Sequence, residues 1–369
     1  MPPFWKKDNA EITQENESHP TMTKMRILII KLKHIGDTLL MTPTFRWLRE
    51  EYPDAVIDVV IRSGTESVLA GNPDISNIFL VARPETKKRS WHDLKSNIQT
   101  AFRIVTSPRY DYAFDLSNSD RAKQLVLLSR ARVRGINDWN AKLGIKRKLF
   151  NAFSSFPWRD CHQVEKDFRT VTDIMGRQAK PGPLVMLPLT APSEIENALP
   201  DIQLDKPYAV FHPTSRWIYK QWDHHRWIEL ATWLQKEMGL QVVLSVGPDT
   251  REIEYASRIV QACNGVVSTG GQLTLPQIAA LLQKAHLFVG IDTAVMHLSA
   301  AMQAPTIALF GANNENNWKP WRCHHRLVLG DCSCKRNNKL ICDKSRIFPC
   351  MESISVEQVI EDIEMLLGD

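Results

Sequence analysis

Hydrophobic runs and amphipathic stretches alternate along the chain in two separate blocks. The first block predicts four strands, over Arg26–Leu32, Ala55–Ile61, Tyr110–Leu116 and Val133–Ile136. It also predicts three helices, over Thr38–Tyr52, Asp93–Thr106 and Ala122–Ser129. A strand–helix–strand rhythm of this kind is typical of a parallel sheet covered by helices.

The second block repeats the rhythm after an interruption rich in proline. Its predicted strands are Tyr208–His212, Gln241–Val246, Leu287–Gly290 and Thr306–Phe310. Its predicted helices are His224–Glu237, Thr250–Cys263, Pro276–Lys284 and Thr293–Met302. The interruption, Lys180–Pro207, holds six prolines in 28 residues, which is typical of a crossover between domains.

These patterns predict two Rossmann-like α/β domains, over 25–185 and 207–350, joined by a linker over 186–206. The polar residues 1–24 predict a disordered N-terminal arm. Apolar positions spaced about 3.6 residues apart predict a C-terminal amphipathic helix within 351–369. We expect the two doubly wound domains to face a cleft, with ligands bound at the carboxyl ends of the strands.

Composition narrows the class of protein. The 369 residues are 43% hydrophobic and 24% charged, which excludes collagen, coiled coil and wholesale disorder. No apolar run approaches the roughly 18 to 20 residues that span a bilayer, and no secretory signal is present, so we expect a cytoplasmic protein. Seven cysteines fit a reducing compartment, and the net charge of +5 is compatible with an anionic substrate or an acidic membrane surface.

Several familiar fingerprints are missing from the sequence. It contains no G-x-G-x-x-G, no G-x-x-x-x-G-K-[ST], no H-E-x-x-H and no G-x-S-x-G. A Rossmann dehydrogenase, a P-loop NTPase, a zinc protease and an α/β-hydrolase are therefore disfavoured. No Asp-x-Asp pair is present to hold a metal-bound diphosphate.

Three segments carry residues suited to chemistry, and each has a purely structural alternative. Gly36-Asp37 follows the first strand, where Asp37 is either a general base or a helix N-cap. In the loop after Phe211, the residues Thr214, Ser215 and Lys220 form either a diphosphate cradle or a polar surface loop.

The third segment lies at the start of the helix predicted near the end of the second block. Asp292 and Thr293 open this helix, and Met296 and His297 follow one turn later. Free amides at such a helix start suit a phosphate, whereas the structural alternative is a capped core helix.

Together these segments resemble the bacterial lipopolysaccharide heptosyltransferases, glycosyltransferase family 9. The matching motifs are Gly36-Asp37 with Leu39–Pro43, His212-Pro213-Thr214-Ser215 with Lys220-Gln221-Trp222, Gly290–His297, and Ala308–Gly311 with Trp318–Trp321. The resemblance runs from Met25 to the C-terminus. The residues of the first two motifs are most similar to those of the heptosyltransferase III branch. Branches I and II, which differ in acceptor, are the alternative.

The resemblance implies a GT-B fold and an inverting transfer that needs no cofactor and no metal. The donor would be ADP-L-glycero-D-manno-heptose, held by the second domain. The acceptor would be a heptose of phosphorylated lipid A–core, held by the first domain. The enzyme would contact the cytoplasmic face of the inner membrane peripherally and bind no nucleic acid.

The family's residue roles map onto the motifs of this chain. Asp37 would be the general base, and Lys220 would steady the charge that develops on the leaving diphosphate. The implied donor-binding residues are Gly36, Thr214, Ser215, Glu252, Asp292, Thr293, Met296 and His297. Within that set Glu252 lies near the position that contacts the nucleoside ribose.

Other features leave alternatives open. The stretches Asp120–Lys148 and Gly311–Cys350, with net charges of +7 and +5, are either acceptor and membrane contacts or solvated basic faces. Trp217 is the candidate aromatic contact to the ligand. The terminal cysteines are free thiols, zinc ligands or disulfides: Cys323, Cys332, Cys334, Cys342 and Cys350. Remote functional alternatives are a nucleotide-sugar epimerase or dehydrogenase, and a binding protein without catalysis.

Overall fold

Two parallel sheets dominate the molecule. The computed structural model describes residues 24–82, 91–139, 143–157, 159–332 and 342–368. Within those ranges twelve strands form two six-stranded sheets, each covered by helices. The predicted N-terminal arm, apart from Lys24, lies outside the described residues.

The first sheet uses the N-terminal block of strands. They are β1 Arg26–Lys31, β2 Val56–Arg62, β3 Asn77–Val81, β4 Tyr112–Asp115, β5 Val133–Asn137 and β6 Ala152–Ser154. Their spatial order is β3-β2-β1-β4-β5-β6 and every pairing is parallel. The helices here are α1 Ile35–Leu39, α2 Thr42–Glu51, α3 Trp91–Thr106, α4 Asp120–Leu128 and α5 Gln163–Ile174, with 3-10 turns at Glu66–Leu69 and Gly144–Leu149.

The second sheet repeats this order. Its strands are β7 Tyr208–His212, β8 Gln241–Leu244, β9 Val266–Ser268, β10 Leu287–Ile291, β11 Thr306–Phe310 and β12 His325–Leu329, ordered β12-β11-β10-β7-β8-β9. The remaining helices are α6 Pro192–Ala198, α7 His224–Glu237, α8 Thr250–Ala262, α9 Leu275–Gln283, α10 Ala294–Ala301, α11 Glu315–Trp318, α12 Pro349–Glu352 and α13 Val356–Gly368, with a 3-10 turn at Ile218–Lys220.

The expected fold class, two doubly wound α/β domains of GT-B type, is confirmed. In each sheet the strand order reverses beside the first strand of its block, between β1 and β4 and between β7 and β10. The loops after β1, β7 and β10 therefore leave the carboxyl edge of a sheet at its switch point, where ligands of such folds bind.

Four strands were missed by the sequence prediction: β3, β6, β9 and β12. All four are edge strands, two in each sheet. An edge strand is only partly covered, so it does not need the continuous apolar run that marks a central strand of a parallel sheet. The hydrophobic pattern detected all eight central strands for the same reason.

The predicted single helix over Thr38–Tyr52 is wrong in its bounds. The chain instead forms α1, which begins at Ile35, and then α2, which begins at Thr42. Pro43 lies in the first turn of α2, where its missing N–H is no loss, and it thereby favours a new helix start.

The proline-rich segment between the sheets is packed against the protein. It contains α6, which contacts α9. Leu184, Ile195 and Leu199 are buried in the core shared with the first sheet. This segment is thus part of the structured core over much of its length.

Several hydrogen bonds bridge the two halves of the chain at one side, and three of them lie beside His162. The His162 ring, through Nε2, lies 2.8 Å from the Lys319 carbonyl oxygen. Trp321 Nε1 donates to the Gly182 carbonyl over 2.9 Å, and Asn317 Nδ2 donates to the Cys161 carbonyl over 2.6 Å. The His162 and Trp321 rings also stack, with centroids 4.6 Å apart.

A buried ion pair fixes the end of β1 to α5. Lys31 Nζ lies 2.5 Å from Asp167 Oδ2, and each side chain is 1% exposed. Gln163 Nε2 donates to the other carboxylate oxygen over 2.9 Å. Burial raises the pKa of Asp167, and the charge of Lys31 opposes that rise. The pair holds the strand end from which the loop toward α1 departs.

We expect Lys31→Met to lower the free energy of unfolding by about 3–5 kcal/mol, because it leaves the Asp167 carboxylate buried without its counter-ion. The double variant Lys31→Met/Asp167→Leu should recover most of that loss, since an apolar pair replaces the ion pair. Urea unfolding of both variants checks this. A single variant as stable as the parent would contradict it.

Candidate active site

A cavity of about 910 Å³ lies between the carboxyl edges of the two sheets. The first domain lines it with His34–Asp37, Arg62–Thr65 and Ser67. The second domain contributes His212, Thr214–Trp217, Lys220, Val246–Pro248, Glu252, Leu273–Leu275, Ile278, Asp292–Val295, His297, Asn313 and Trp318. Nine of the ten predicted site residues therefore meet in one cavity.

The first wall is the turn from β1 into α1. His34 is the N-cap, so Asp37 is the third residue of α1 and not its cap. The Asp37 carboxylate accepts the His34 N–H over 3.2 Å, and the Thr38 hydroxyl donates to the His34 carbonyl over 3.1 Å. Lys166 of α5 lies within electrostatic range of Asp37, and burial lowers the pKa of that lysine to about 8. A half-buried carboxylate is thus presented at a helix start.

Gly36 is needed for close approach and not for a special backbone angle. It is absent from the glycines with positive φ among the described residues. A Cβ built at Gly36 would lie 3.0 Å from His297 Cδ2 and 3.7 Å from Ala294 Cα. Because a Cβ here would press against the His297 ring, glycine lets α1 and α10 approach each other closely at the cavity floor.

The loop after β7 forms the second wall. The Thr214 hydroxyl donates to Glu252 Oε2 over 2.7 Å, and the Gly247 N–H donates to the same oxygen over 3.3 Å. The Ser215 hydroxyl accepts the Trp217 N–H over 3.1 Å. Glu252 is therefore held in place by two donors while it lines the cavity.

Lys220 lies between this loop and the end of β10. Its Nζ is 2.8 Å from Asp292 Oδ2 and 3.3 Å from the Asp292 carbonyl oxygen. Asn313 also donates through Nδ2 to Asp292 Oδ2. An ammonium is thus anchored from one side by a carboxylate in the cavity wall.

The start of α10 carries unsatisfied polar atoms. Thr293 is the N-cap of α10 and Asp292 precedes it, so the helix begins one residue later than the predicted start at Thr293. Thr293 Oγ1 and His297 Nδ1 are buried and have no hydrogen-bond partner within the described part of the chain. Together with the free amides of the first turn they form a polar pocket suited to an anion.

Met296 is the predicted site residue that the structure does not bring to the cavity. It is fully buried in the hydrophobic core, on the side of α10 that faces away from the cavity lining. Trp217 lines the cavity and is about half exposed, and its role as a ligand contact stays a prediction.

Both histidines of the second-domain wall are buried in uncharged form. Burial lowers the pKa of His297 to about 4, with Asp292 and Asp37 opposing the change and Lys220 adding to it. Burial likewise lowers the pKa of His212 to about 4. Both imidazoles are therefore neutral, whereas Lys220 contributes a cation to this wall.

Some cavity residues were missed by the sequence reasoning. Arg62 is the last residue of β2, Gly64 and Thr65 follow it, and Asn313 follows β11. Both strands neighbour a switch-point strand, so the rule that ligands bind at the carboxyl ends would have found these loops if it had been applied to the adjacent strands.

Metal-ligating side chains lie elsewhere. Within the described ranges, one group of side chains has the type and spacing of metal ligands: Asp223, His224 and His225. It lies at the start of α7 and does not line the cavity. Cys334 lies outside the described residues, and none of the described cysteines is in a disulfide. Burial and the neighbouring Cys332 and Cys342 raise the pKa of Cys350 to about 12.

The fold and this cavity define a glycosyltransferase of GT-B type. Residues 99–347 match glycosyltransferase family 9 (heptosyltransferase), and because this match spans more than half of the chain, the protein belongs to that family. It is similar to a lipopolysaccharide heptosyltransferase 3 of Escherichia coli, with 29% identity over 78% of this chain and 83% of the relative.

Solved structures share the fold. A family 9 glycosyl transferase from Veillonella parvula superposes with a TM-score of 0.77 at 20% identity, covering 93% of this chain and 97% of the other. An Escherichia coli heptosyltransferase solved with ADP gives a TM-score of 0.73 at 20% identity, covering 93% of this chain and 100% of the other. At these identities the likeness establishes the fold.

The depressed pKa of His297 makes stability depend on pH. In the unfolded chain a histidine titrates near 6.5, and in the folded protein His297 titrates at about 4. Between these values the unfolded chain binds a proton that the folded protein does not, so the free energy of unfolding falls as pH drops through this window. We expect His297→Gln to reduce the slope by about 1.4 kcal/mol per pH unit.

Urea unfolding of parent and variant between about pH 6 and about pH 4.5 measures this slope. The matched control is His286→Gln, which changes an exposed histidine of the same domain and should leave the slope as in the parent. Equal slopes for His297→Gln and the parent would show that His297 is protonated in the folded protein.

Proposed function

We propose that the protein is an inverting heptosyltransferase that moves L-glycero-D-manno-heptose from ADP-heptose onto a heptose of the lipopolysaccharide inner core, as a heptosyltransferase III. The family membership, the name of the Escherichia coli relative and the wording of the motifs support this. The observation that carries it is the single cavity, with the Asp37 carboxylate on one domain and the Lys220, hydroxyl and helix-start groups on the other.

The donor occupies the second-domain wall in this proposal. Its diphosphate receives hydrogen bonds from Lys220, Ser215, Thr293 and the free amides of α10, which fill the unsatisfied positions at that helix start. Ribose hydroxyls donate to Glu252, whose carboxylate is already oriented by Gly247 and Thr214. This cradle takes the place of a metal ion.

The transfer is a single displacement. An acceptor hydroxyl gives its proton to Asp37 while its oxygen bonds to the anomeric carbon of the donor heptose. The bond from that carbon to the diphosphate oxygen breaks, and the electron pair leaves with ADP. Lys220 and the α10 amides stabilise the negative charge that grows there. A second carboxylate nucleophile, which a retaining mechanism uses, is not required.

The acceptor occupies the first-domain side and is anchored in a membrane, so the enzyme works at the cytoplasmic face of the inner membrane. In the described part of the chain, no helix is both long and apolar enough to cross a membrane. We propose that the contact with the membrane is peripheral.

The acceptor assignment is tested with a deletion strain. Mass spectrometry of its core oligosaccharide should show the loss of the side-branch heptose alone. Restoration by the plasmid-borne gene is the control. Loss of the first or second main-chain heptose would instead assign the protein to heptosyltransferase I or II.

Asp37→Asn should reduce kcat by about 10²–10⁴-fold, the usual contribution of a general base. The asparagine carbonyl can still accept the His34 N–H, so the fold and ADP-heptose affinity should remain. The matched control is Glu66→Gln on the same domain, where the carboxylate accepts the Gly64 N–H over 2.6 Å but does not line the cavity. Near-parental turnover of Asp37→Asn would reject the base assignment.

Lys220→Ala should reduce kcat by on the order of 10²-fold, because it removes a cation that interacts most strongly with the developing charge. Thr214→Ala and Ser215→Ala should cost less, since they remove neutral hydrogen bonds. Lys220→Arg should restore activity only in part, as a planar guanidinium cannot occupy the same point beside Asp292. A rise in KM for the donor with kcat unchanged would make Lys220 a ground-state anchor.

A further inference from the structure

Helix α3 presents an apolar stripe to solvent. Its members are Trp91, Leu94, Ile98, Phe102 and Val105, of which Trp91 is 86%, Phe102 66% and Ile98 59% exposed. At 100° per residue these five positions fall within about 80° of the helix circumference. The stripe is therefore a continuous outer face and not a scatter of single residues.

The other face of α3 already anchors the helix to the domain. Asn97 Oδ1 accepts the Ala82 N–H over 2.9 Å, and the Thr100 hydroxyl donates to the Leu80 carbonyl over 2.5 Å. Ile104 is fully buried. Packing within the chain thus accounts for the inner face and leaves the outer stripe unexplained.

Elements that pack beside α3 and α4 carry further exposed apolar side chains. Leu127 and Leu128 of α4, which contacts α3, are exposed, and Ile145 in the 3-10 turn beside α4 is 79% exposed. Eight of the fifteen large hydrophobic side chains that are exposed within the described ranges belong to this region of 55 residues, 91–145. Such a concentration marks an interaction surface.

Positive charge lies along one flank of the stripe and at its C-terminal end. Lys95 and Arg103 are exposed on α3 itself. At its C-terminal end Arg130 donates to the Val105 carbonyl over 2.8 Å, and Arg109 donates to the Arg130 carbonyl over 2.9 Å, which holds two arginines beside the last apolar residue. The exposed carboxylate of Asp120 nearby is paired with Lys146 at 2.6 Å.

We infer that α3 docks onto an anionic phospholipid bilayer, with its apolar stripe at the level of the headgroups. An amphipathic helix with a tryptophan at one end of its apolar face and lysine and arginine at its borders is typical of interfacial helices. The cations beside the stripe favour a bilayer of acidic lipids over an uncharged partner surface, because acidic headgroups complement them.

The placement also fits the reaction, and to that extent this inference rests on the proposed function. Asn97 lies level with the end of β3, and the helix runs antiparallel to that strand, since Thr100 is level with Leu80. Trp91 therefore projects about 9 Å past the carboxyl edge of the sheet, the edge at which Asp37 stands. Docking through α3 brings that edge of the cavity to the membrane surface.

Vesicle co-sedimentation of the full chain tests the surface. The probes are vesicles of phosphatidylethanolamine with phosphatidylglycerol, and vesicles of phosphatidylcholine alone. The test variant is Ile98→Asn/Phe102→Asn, and the matched control is Met365→Asn, which changes an apolar side chain 50% exposed on another surface helix. We expect the test variant to lower the partition coefficient on anionic vesicles by about tenfold or more, the usual effect of one large apolar side chain.

The control should bind anionic vesicles as the parent does, and phosphatidylcholine should bind the parent at least tenfold more weakly. Equal binding of parent and test variant overturns the inference. The inference is also overturned if the parent fails to bind vesicles but forms a dimer in sedimentation velocity runs, and the test variant does not form that dimer.

Transfer to a soluble, deacylated core oligosaccharide separates this inference from the proposed function. The test variant should retain the parental rate on that acceptor and lose rate on acceptor embedded in vesicles. Absence of heptose transfer by the parent on either acceptor would reject the proposed function, while vesicle binding would still decide the docking surface.

Discussion

The contact between Gly36 and His297 is the constraint on which the site depends. The absence of a side chain at Gly36 allows α1 of one domain to rest against α10 of the other, where an added Cβ would lie 3.0 Å from His297 Cδ2. That contact brings Asp37, one residue further on, and Thr293, one turn before His297, to opposite sides of the same cavity. The two domains thus share a floor, and the chemistry above it is divided between them.

The second-domain wall is electrostatically prepared before any ligand enters. Two buried neutral imidazoles, a partly exposed ammonium paired with Asp292 and the unsatisfied atoms at the start of α10 lie along this wall. Groups held in this way need little reorganisation when charge develops on a leaving group, which is how preorganised sites lower barriers. The buried pair of Lys31 and Asp167 gives the opposite wall comparable rigidity.

The central strands were predictable because each depends on local sequence, and the nine candidate residues that line the cavity were named from motif positions shared with the family. A buried central strand needs an apolar run, and a switch-point loop follows directly from it. The edge strands and the close approach at Gly36 depend on what packs against them from distant parts of the chain, whereas the break between α1 and α2 follows from Pro43 in the first turn of α2. Met296 was misplaced because motif position cannot tell which side of a short helix meets the core.

The three bridging hydrogen bonds beside His162 have a consequence for divergence. Each one ends on a main-chain carbonyl, at Lys319, Gly182 or Cys161. Carbonyls are supplied by every amino acid, so mutational drift at those three positions leaves the acceptors intact. The specificity of these three hydrogen bonds therefore depends on the donor side chains, His162, Trp321 and Asn317. The relative placement of the domains therefore tolerates substitution at those three acceptor positions.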